Sequence, residues 1–420
     1  MRDMEMEALP RQEQNDGLGL DKLSNPAVSN SSSINFRGYI PELDGLRAVG
    51  ISLVLIDHLW PAGLSYLVFQ LGNLGWIAMD SFFVMSGLLI TGILLDNLQD
   101  PNYFRTYFAR RCLRIFPLYY AVLIAWHCIT RYTNHGIDYF ALIQYWGSPA
   151  WFIFYIGNIR QAMVGYPHTS LGNTLALAYA PLWSLQVEEQ FYLLFPLAVA
   201  FMRPRNLRRF LIAAVLLSPI LRVLTYLWQP DNPFLQYVEL PTHCEGLALG
   251  ALIAIRLRSG PWKISTPALT AFTALFLGAA CAGSILSTWG TLNQAWGTRW
   301  DRLAGYSISS LGCACLILWL ICFRETTYTS WLRTAPMRYL GKISYGLYLL
   351  HSLAVWVVIE LNKKGFVHFH DNDWRFFVGA IALSLIFASA SWYFFEEPLL
   401  KIKNHFTYER TKIIPAKIPA

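Results

Sequence analysis

"LDGLRAVGISLVLIDHLW", residues 43–60, decides how the chain is read. The stretch has the length and apolar content of a membrane-spanning helix, yet it keeps Arg47 near one end and Asp57-His58 near the other. Ionisable groups are costly at bilayer depth and mark functional positions when they occur there. Arg47 and His58 are eleven residues apart. At 100° per residue that is three turns plus about 20°, so both project from one helix face, roughly 16 Å apart along the axis.

The rest of the sequence supports a membrane reading. Of 420 residues, 55% are hydrophobic and 14% charged, against about 25% charged in soluble domains, and the mean hydropathy is +0.36. Apolar segments of roughly 20 residues recur, each long enough to cross a ~30 Å hydrocarbon core. The expected fold class is all-α, a polytopic transmembrane helical bundle. Residues 1–37 are polar and rich in Asn and Ser from Ser24 to Ser33, which reads as a disordered cytoplasmic tail. This tail has no apolar signal-peptide core, so the first span is expected to direct insertion. Residues 38–400 form the membrane unit and 401–420 a basic cytoplasmic tail. The net charge of +7 is read as positive-inside loop charge rather than as a nucleic-acid surface. Seven cysteines, odd in number and without a CxxC pair, suggest neither a disulfide framework nor a zinc site, and no metal is expected.

Eleven apolar segments lie near residues 43–60, 72–95, 115–132, 138–158, 181–202, 208–228, 239–257, 265–288, 303–323, 336–359 and 375–396. Loops rich in arginine and lysine hold Arg105/Arg110/Arg111/Arg114, Arg203/Arg205/Arg208/Arg209, Arg256/Arg258/Lys263 and Arg324/Arg333/Arg338/Lys342, and these should all be cytoplasmic. The charges alternate consistently only if segment 138–158, interrupted by Gly147-Ser148-Pro149, is interfacial or re-entrant and does not cross. The expectation is about ten spans with both termini cytoplasmic.

Several spans carry polar groups toward their outer ends. Asp80 lies in "WIAMDSFFVMSGLLI", with Ser81 and Ser86 close by. In "PLWSLQVEEQFYLLFP", Ser184, Glu188 and Tyr192 share a face at i, i+4, i+8 spacing, with Glu189 alongside. "PTHCEGLALGALIA" places His243 and Glu245 near the outer end of its span, and its Gly246, Ala248, Gly250 and Ala251 permit close helix approach. "GKISYGLYLLHS" aligns Ser344, Tyr348 and His351. Together these groups read as the lining of a cavity for an acceptor or a channel, made from Asp80, Ser184, His243, Glu245, Tyr348 and His351. Taken one by one, each also fits a structural hydrogen-bonding role. On the inner side, "DPNYFRTYFARRCLRIFPLYY" reads as a helix with Asp100 at the N-cap and Pro101 first. Its Arg110, Arg111 and Arg114 suit bidentate phosphate binding. Contact with anionic lipid is the competing reading.

These residues resemble the acyltransferase 3 family of integral membrane acyltransferases. Arg47 and His58 fit that family's R/K-x10-H pattern in the first span. The similarity continues in order through "ELDGLRA", "DSFFVMSGLLI", the RxxR of Arg111 and Arg114 followed by "IFPLYY", "WSLQVEEQFYLLFP", "ISYGLYLLH" and "FFEEP", covering about residues 38–400. The resemblance implies transfer of an acyl group, by default acetyl, from cytoplasmic acyl-CoA to a hydroxyl of an envelope or exported glycan, a lipid-linked sugar or a small hydroxylated acceptor. It also implies functional roles for Arg47, His58 and the Arg111/Arg114 pair, and for Glu188 or Glu189. Family members often carry Arg and Asp where this chain has His243 and Glu245, and the Trp-Pro that commonly follows the late histidine is missing after His351.

Cleaving a thioester with an alcohol needs a base for the hydroxyl proton. Histidine, with an unperturbed pKa near 6.5, suits that task. His58 is therefore expected to act as the base, with Glu188 or Glu189 orienting its ring as a carboxylate does in a triad. Arg47, Arg110, Arg111 and Arg114 are expected to bind the donor, acetyl-CoA acting as substrate and not as a tightly bound cofactor. The expected setting is a bacterial cytoplasmic membrane, with membrane lipids as partners and no nucleic acid. The rival reading is a secondary transporter that uses the buried acids and histidines as proton or substrate sites.

Overall fold

The computed structural model describes residues 31–33, 39–59, 74–132, 146–165, 179–260, 262–288, 299–368 and 373–409. Ten long helices occur among the described residues: α1 (Pro41–Leu59), α2 (Gly75–Asp96), α3 (Tyr103–Tyr132), α4 (Trp183–Phe201), α5 (Pro204–Trp228), α6 (Glu245–Arg258), α7 (Thr266–Thr288), α8 (Tyr306–Cys322), α9 (Ala335–Lys363) and α10 (Trp374–Ser391). Seven of the described helices are long and apolar enough to cross a membrane. The three that fall short, α1, α4 and α6, carry Asp57-His58, Glu188-Glu189 and Glu245. Helix α6, with 14 residues, is too short, whereas α1 and α4 are long enough and fall short because of their charged and polar residues. The protein is a multi-pass, all-α membrane protein. Its one described ladder pairs Ser31–Ser33 with Lys263–Ser265; residues 1–30 and 34–37 of the expected tail lie outside the described residues.

Some boundaries differ from expectation. The basic stretch after Asp100 and the apolar segment 115–132 form one helix, α3, which begins at Tyr103 and runs through Pro117. Residues 150–164 form two short helices, Ala150–Ile153 and Gly157–Val164, and no long one. The turn before them uses Gly147 at positive φ; residues 138–145 lie outside the described part. The expected span 239–257 is broken at Cys244 into Leu240–His243 and α6. After α10 the chain makes a π-helical turn, Trp392–Glu396, and ends in the short helix Glu397–Ile402.

Packing centres on α2, whose most extensive contact is with α6. The two backbones approach closely at a pair of glycines. A Cβ on Gly87 would meet the Leu247 carbonyl oxygen, and one on Gly250 would meet that of Val84. Small residues permit such crossings where no hydrophobic effect drives helices together. Helix α9 packs against α1 and α10, and α2 also contacts α1, α4 and α8. Helix α5 presents Leu216, Leu217, Leu224, Leu227 and Trp228 outward, as a helix facing lipid does.

Candidate active site

A cavity of about 600 Å³ lies among α1, α2, α3, α4 and α9, within the usual range for small-molecule and cofactor sites. One end is basic: Arg47, Arg110, Arg111 and Arg114 line it, joined by Lys403 and Tyr408 from the segment after the last helix. Its middle wall is the apolar face of α2, with Met79, Phe82, Leu89, Ile90 and Ile93. Ser184, Glu188 and Tyr192 run down one side in the helical stripe that their spacing requires. Ser184 and Tyr348 close the far end.

The arginines are held differently. Arg47 donates to Asp44 Oδ1 at 2.6 Å, which also accepts a hydrogen bond from Tyr39 at its other oxygen. Arg111 lies over the Tyr192 ring, 4.8 Å from its centroid. Arg110 donates to the Phe406 carbonyl at 3.1 Å. Arg114 feels the charge of Glu396, a residue of the "FFEEP" motif that the π-turn carries inward and that accepts from Ser391 at 2.9 Å.

Glu188 accepts a hydrogen bond from Ser86, and the Tyr192 hydroxyl donates to Ser86 at 2.9 Å. The triad-like contact expected between a glutamate and His58 is therefore not what the fold builds. Glu188 lies one turn, about 6 Å, beyond Ser184 along α4, and its oxygen is taken up by the α2 hydroxyl. Glu189 faces the Arg111 side of the fold, and its buried Oε1 has no hydrogen-bond partner.

The ring partner of His58 is His351. His58 Nδ1 lies 3.0 Å from His351 Nε2. The ring centroids are 5.1 Å apart, nearly the N···N distance plus two ring radii, so the nitrogens meet edge to edge in a hydrogen bond and the rings are not stacked. His351 Nδ1 is 2.7 Å from the Tyr348 carbonyl. A carbonyl only accepts, so His351 Nδ1 carries a hydrogen. In a neutral His351, Nε2 is then an acceptor, and the hydrogen between the rings belongs to His58 Nδ1. The free nitrogen of a neutral His58 is Nε2, which holds an open lone pair. His58 is exposed, whereas His351 is fully buried. The Tyr348 side chain, one turn before His351, hydrogen-bonds Ser184 at 2.7 Å and the Pro181 carbonyl. The end of the cavity and the histidine pair thus share one helical turn of α9.

Asp80, His243 and Glu245 do not line this cavity. Asp80 and His243 are both fully buried and pair at 3.0 Å, with Ser310 donating to the same Asp80 oxygen at 3.1 Å. Phe83, Trp183, Tyr237 and Tyr306 enclose the His243 ring. Glu245 is held in a two-pronged ion pair by Arg222 of α5 and accepts from Ser218 at 2.9 Å and Ser307 at 2.6 Å. The sequence reading passed over Arg222. Its signal was an arginine within the apolar run "LSPILRVLTYLW". Ser86 was noted only as a neighbour of Asp80, and Lys403 and Tyr408 only as part of a tail.

The O-acetyltransferase OatA proteins of Staphylococcus aureus strains NCTC 8325 / PS 47 and MRSA252 are each 27% identical to this chain over 380 residues, covering 86% of it. The match takes in 57% of each relative, so the chain spans little more than half the length of the proteins it resembles. No solved structure matches. A family model described as an acyltransferase domain matches residues 40–393, which include all ten long helices, the cavity's arginines and the histidine pair. The chain belongs to the acyltransferase 3 family.

Proposed function

We propose that the protein is a membrane O-acetyltransferase that takes its acyl group from acetyl-CoA and esterifies a hydroxyl of an envelope or exported glycan-type acceptor. The relatives, O-acetyltransferases by name, support the reaction class. The observation that carries the reading is that one cavity joins the arginine cluster to Ser184 and Tyr348, beside the His351–His58 pair. In this reading Arg111 and Arg114 hold the donor's phosphates, Arg47 adds positive charge, and the pantetheine arm lies along the apolar face of α2. The thioester then reaches the turn that carries Tyr348.

His58 Nε2 removes the acceptor's hydroxyl proton as the oxygen attacks the thioester carbonyl carbon. The tetrahedral oxyanion collapses, the C–S bond breaks, and the departing thiolate takes the proton back from His58. The products are an ester and free CoA thiol. His351 is a positioning residue, because it fixes which His58 nitrogen is free. Glu188 sits in the cavity wall, bonded to Ser86, and shapes the donor's path in place of orienting His58. No observation on these relatives favours transport.

The test is incorporation of radiolabelled acetyl from acetyl-CoA into lipid-linked and soluble glycans, using membranes with equal levels of wild type or His58→Ala. The expected loss is about 10²–10⁴-fold, the usual contribution of a general base. Wild-type rates in the variant would remove His58 from the mechanism, and label held on the protein would replace direct transfer by an acyl-enzyme.

A further inference from the structure

The chain does not end at the last helix. Lys403–His405 form a 3-10 turn, and residues 406–409 then run along the first turns of α3. Three residues at four-residue spacing hold that run. Asn102 donates to the Thr407 carbonyl at 2.8 Å and accepts from the Glu409 amide at 3.2 Å. Thr106 reaches the same Thr407 carbonyl at 3.5 Å, and Arg110 reaches that of Phe406 at 3.1 Å. The backbone is pinned and the side chains of Lys403 and Tyr408 are left to line the basic end of the cavity.

Five cations line that end, Arg47, Arg110, Arg111, Arg114 and Lys403. Among the described residues, none of Arg111, Arg114 and Lys403 has a carboxylate in ion-pair contact. Lys403 feels the repulsion of Arg110, Arg111 and Arg114 together. Like charges gathered at a cavity wall are a poor arrangement for an empty site and a good one for a ligand with several negative charges. Tyr408 is half-buried at the same place, with the Arg110 guanidinium 5.8 Å from its ring centroid. A cation beside an aromatic ring is a surface on which a purine and its phosphate can both rest.

We propose that residues 403–409 form the outer wall of the donor's nucleotide subsite, Lys403 binding a phosphate with Arg111 and Arg114 and Tyr408 packing against the purine. This rests on the acyl-CoA reading given above. Phosphate is also the chemistry of an anionic lipid headgroup, so the experiment must separate the two sources.

Full-length protein in phosphatidylcholine nanodiscs is titrated with CoA, and acetyl transfer from acetyl-CoA is compared with transfer from acetylpantetheine, which lacks the nucleotide. Lys403→Gln and Tyr408→Ala are each expected to weaken CoA binding about tenfold, the scale of one charge-assisted contact for Lys403 and of one base–aromatic stack for Tyr408, with Tyr408→Phe close to wild type. Transfer from acetylpantetheine should be the same in all four proteins, which also shows that the variants fold. If wild type binds CoA and both variants bind it equally, the proposal is overturned while the donor reading stands. If wild type binds no CoA, the donor reading fails first. A defect seen only after phosphatidylglycerol is added would assign the segment to lipid headgroups and overturn the proposal.

Discussion

Removing His351 should slow the reaction by acting through His58, and the size of the effect can be bounded. The 3.0 Å bond between the rings is a neutral hydrogen bond, worth about 0.5–1.5 kcal/mol net. At 1.36 kcal/mol per tenfold, that alone is about a 2- to 13-fold loss. His351→Ala also frees the His58 hydrogen to move to Nε2, the nitrogen that must stay open, so the loss should exceed the bond energy. It cannot exceed the whole contribution of the base, about 10²–10⁴-fold. We therefore expect kcat to fall about 10- to 100-fold in His351→Ala, with the KM for acetyl-CoA unchanged, because His351 is not part of the basic end. His351→Gln should recover part of the loss, since an amide oxygen can accept from His58 Nδ1 and restore the productive tautomer. The deciding measurement is the double variant His58→Ala/His351→Ala in the radiolabelled transfer assay at matched membrane levels. A residue that acts only through another adds nothing once that other is gone, so the double variant should be no slower than His58→Ala. If the two losses multiply, His351 has its own contact with the reacting groups and the tautomer argument is wrong.

Two predictions concern the scaffold. Arg222→Met leaves the Glu245 carboxylate buried without its cation, and breaking a buried pair from one side costs about 3–5 kcal/mol; Arg222→Met/Glu245→Gln should melt at a higher temperature than the single variant in detergent, and equal melting would mean that the pair contributes nothing specific. Gly250→Val places a side chain against the Val84 carbonyl, where backbone cannot yield, and overpacking of this kind costs about 1–3 kcal/mol or more; a monodisperse preparation melting with wild type would show that α2 and α6 do not need this close crossing.

What the sequence disclosed and what it withheld follow from the range of the interactions. The stripe of Ser184, Glu188 and Tyr192 was readable because a helix fixes which residues share a face, and all three line the cavity. Gly246 and Gly250 were readable as a close-approach surface for a similar reason. The partners across the bundle were not readable. His58 and His351 are 293 residues apart, and no local pattern pairs them. Glu188 had two histidines and several hydroxyls to choose from, and its depth relative to α2 settled the matter in favour of Ser86. Asp80, His243 and Glu245 show the same limit from the other side. Their burial was legible from the apolar runs around them, but whether such a group faces a cavity or a sealed hydrogen-bonded core depends on which helix lies opposite. That helix is α5, carrying Arg222, for Glu245, and α8, carrying Ser310, for Asp80.

The separation of the arginines from the histidine pair has a physical rationale in the proposed reaction. Arg47 and His58 stand roughly 16 Å apart along their helix. A donor carrying several phosphate charges would meet a steep cost in moving that distance into a low-dielectric interior. With the cations gathered at one end and the α2 face apolar beyond them, the charged nucleotide would stay at the cationic end and only the neutral arm would enter. In that reaction the acceptor would not have to travel inward, because His58 is exposed near the other end. Neither polar substrate then has to cross the bilayer. In the proposed reaction the acetyl group would cross most of the distance as the tip of an uncharged chain, and Ser184 and Tyr348 would mark the depth at which that chain stops for His58 to act.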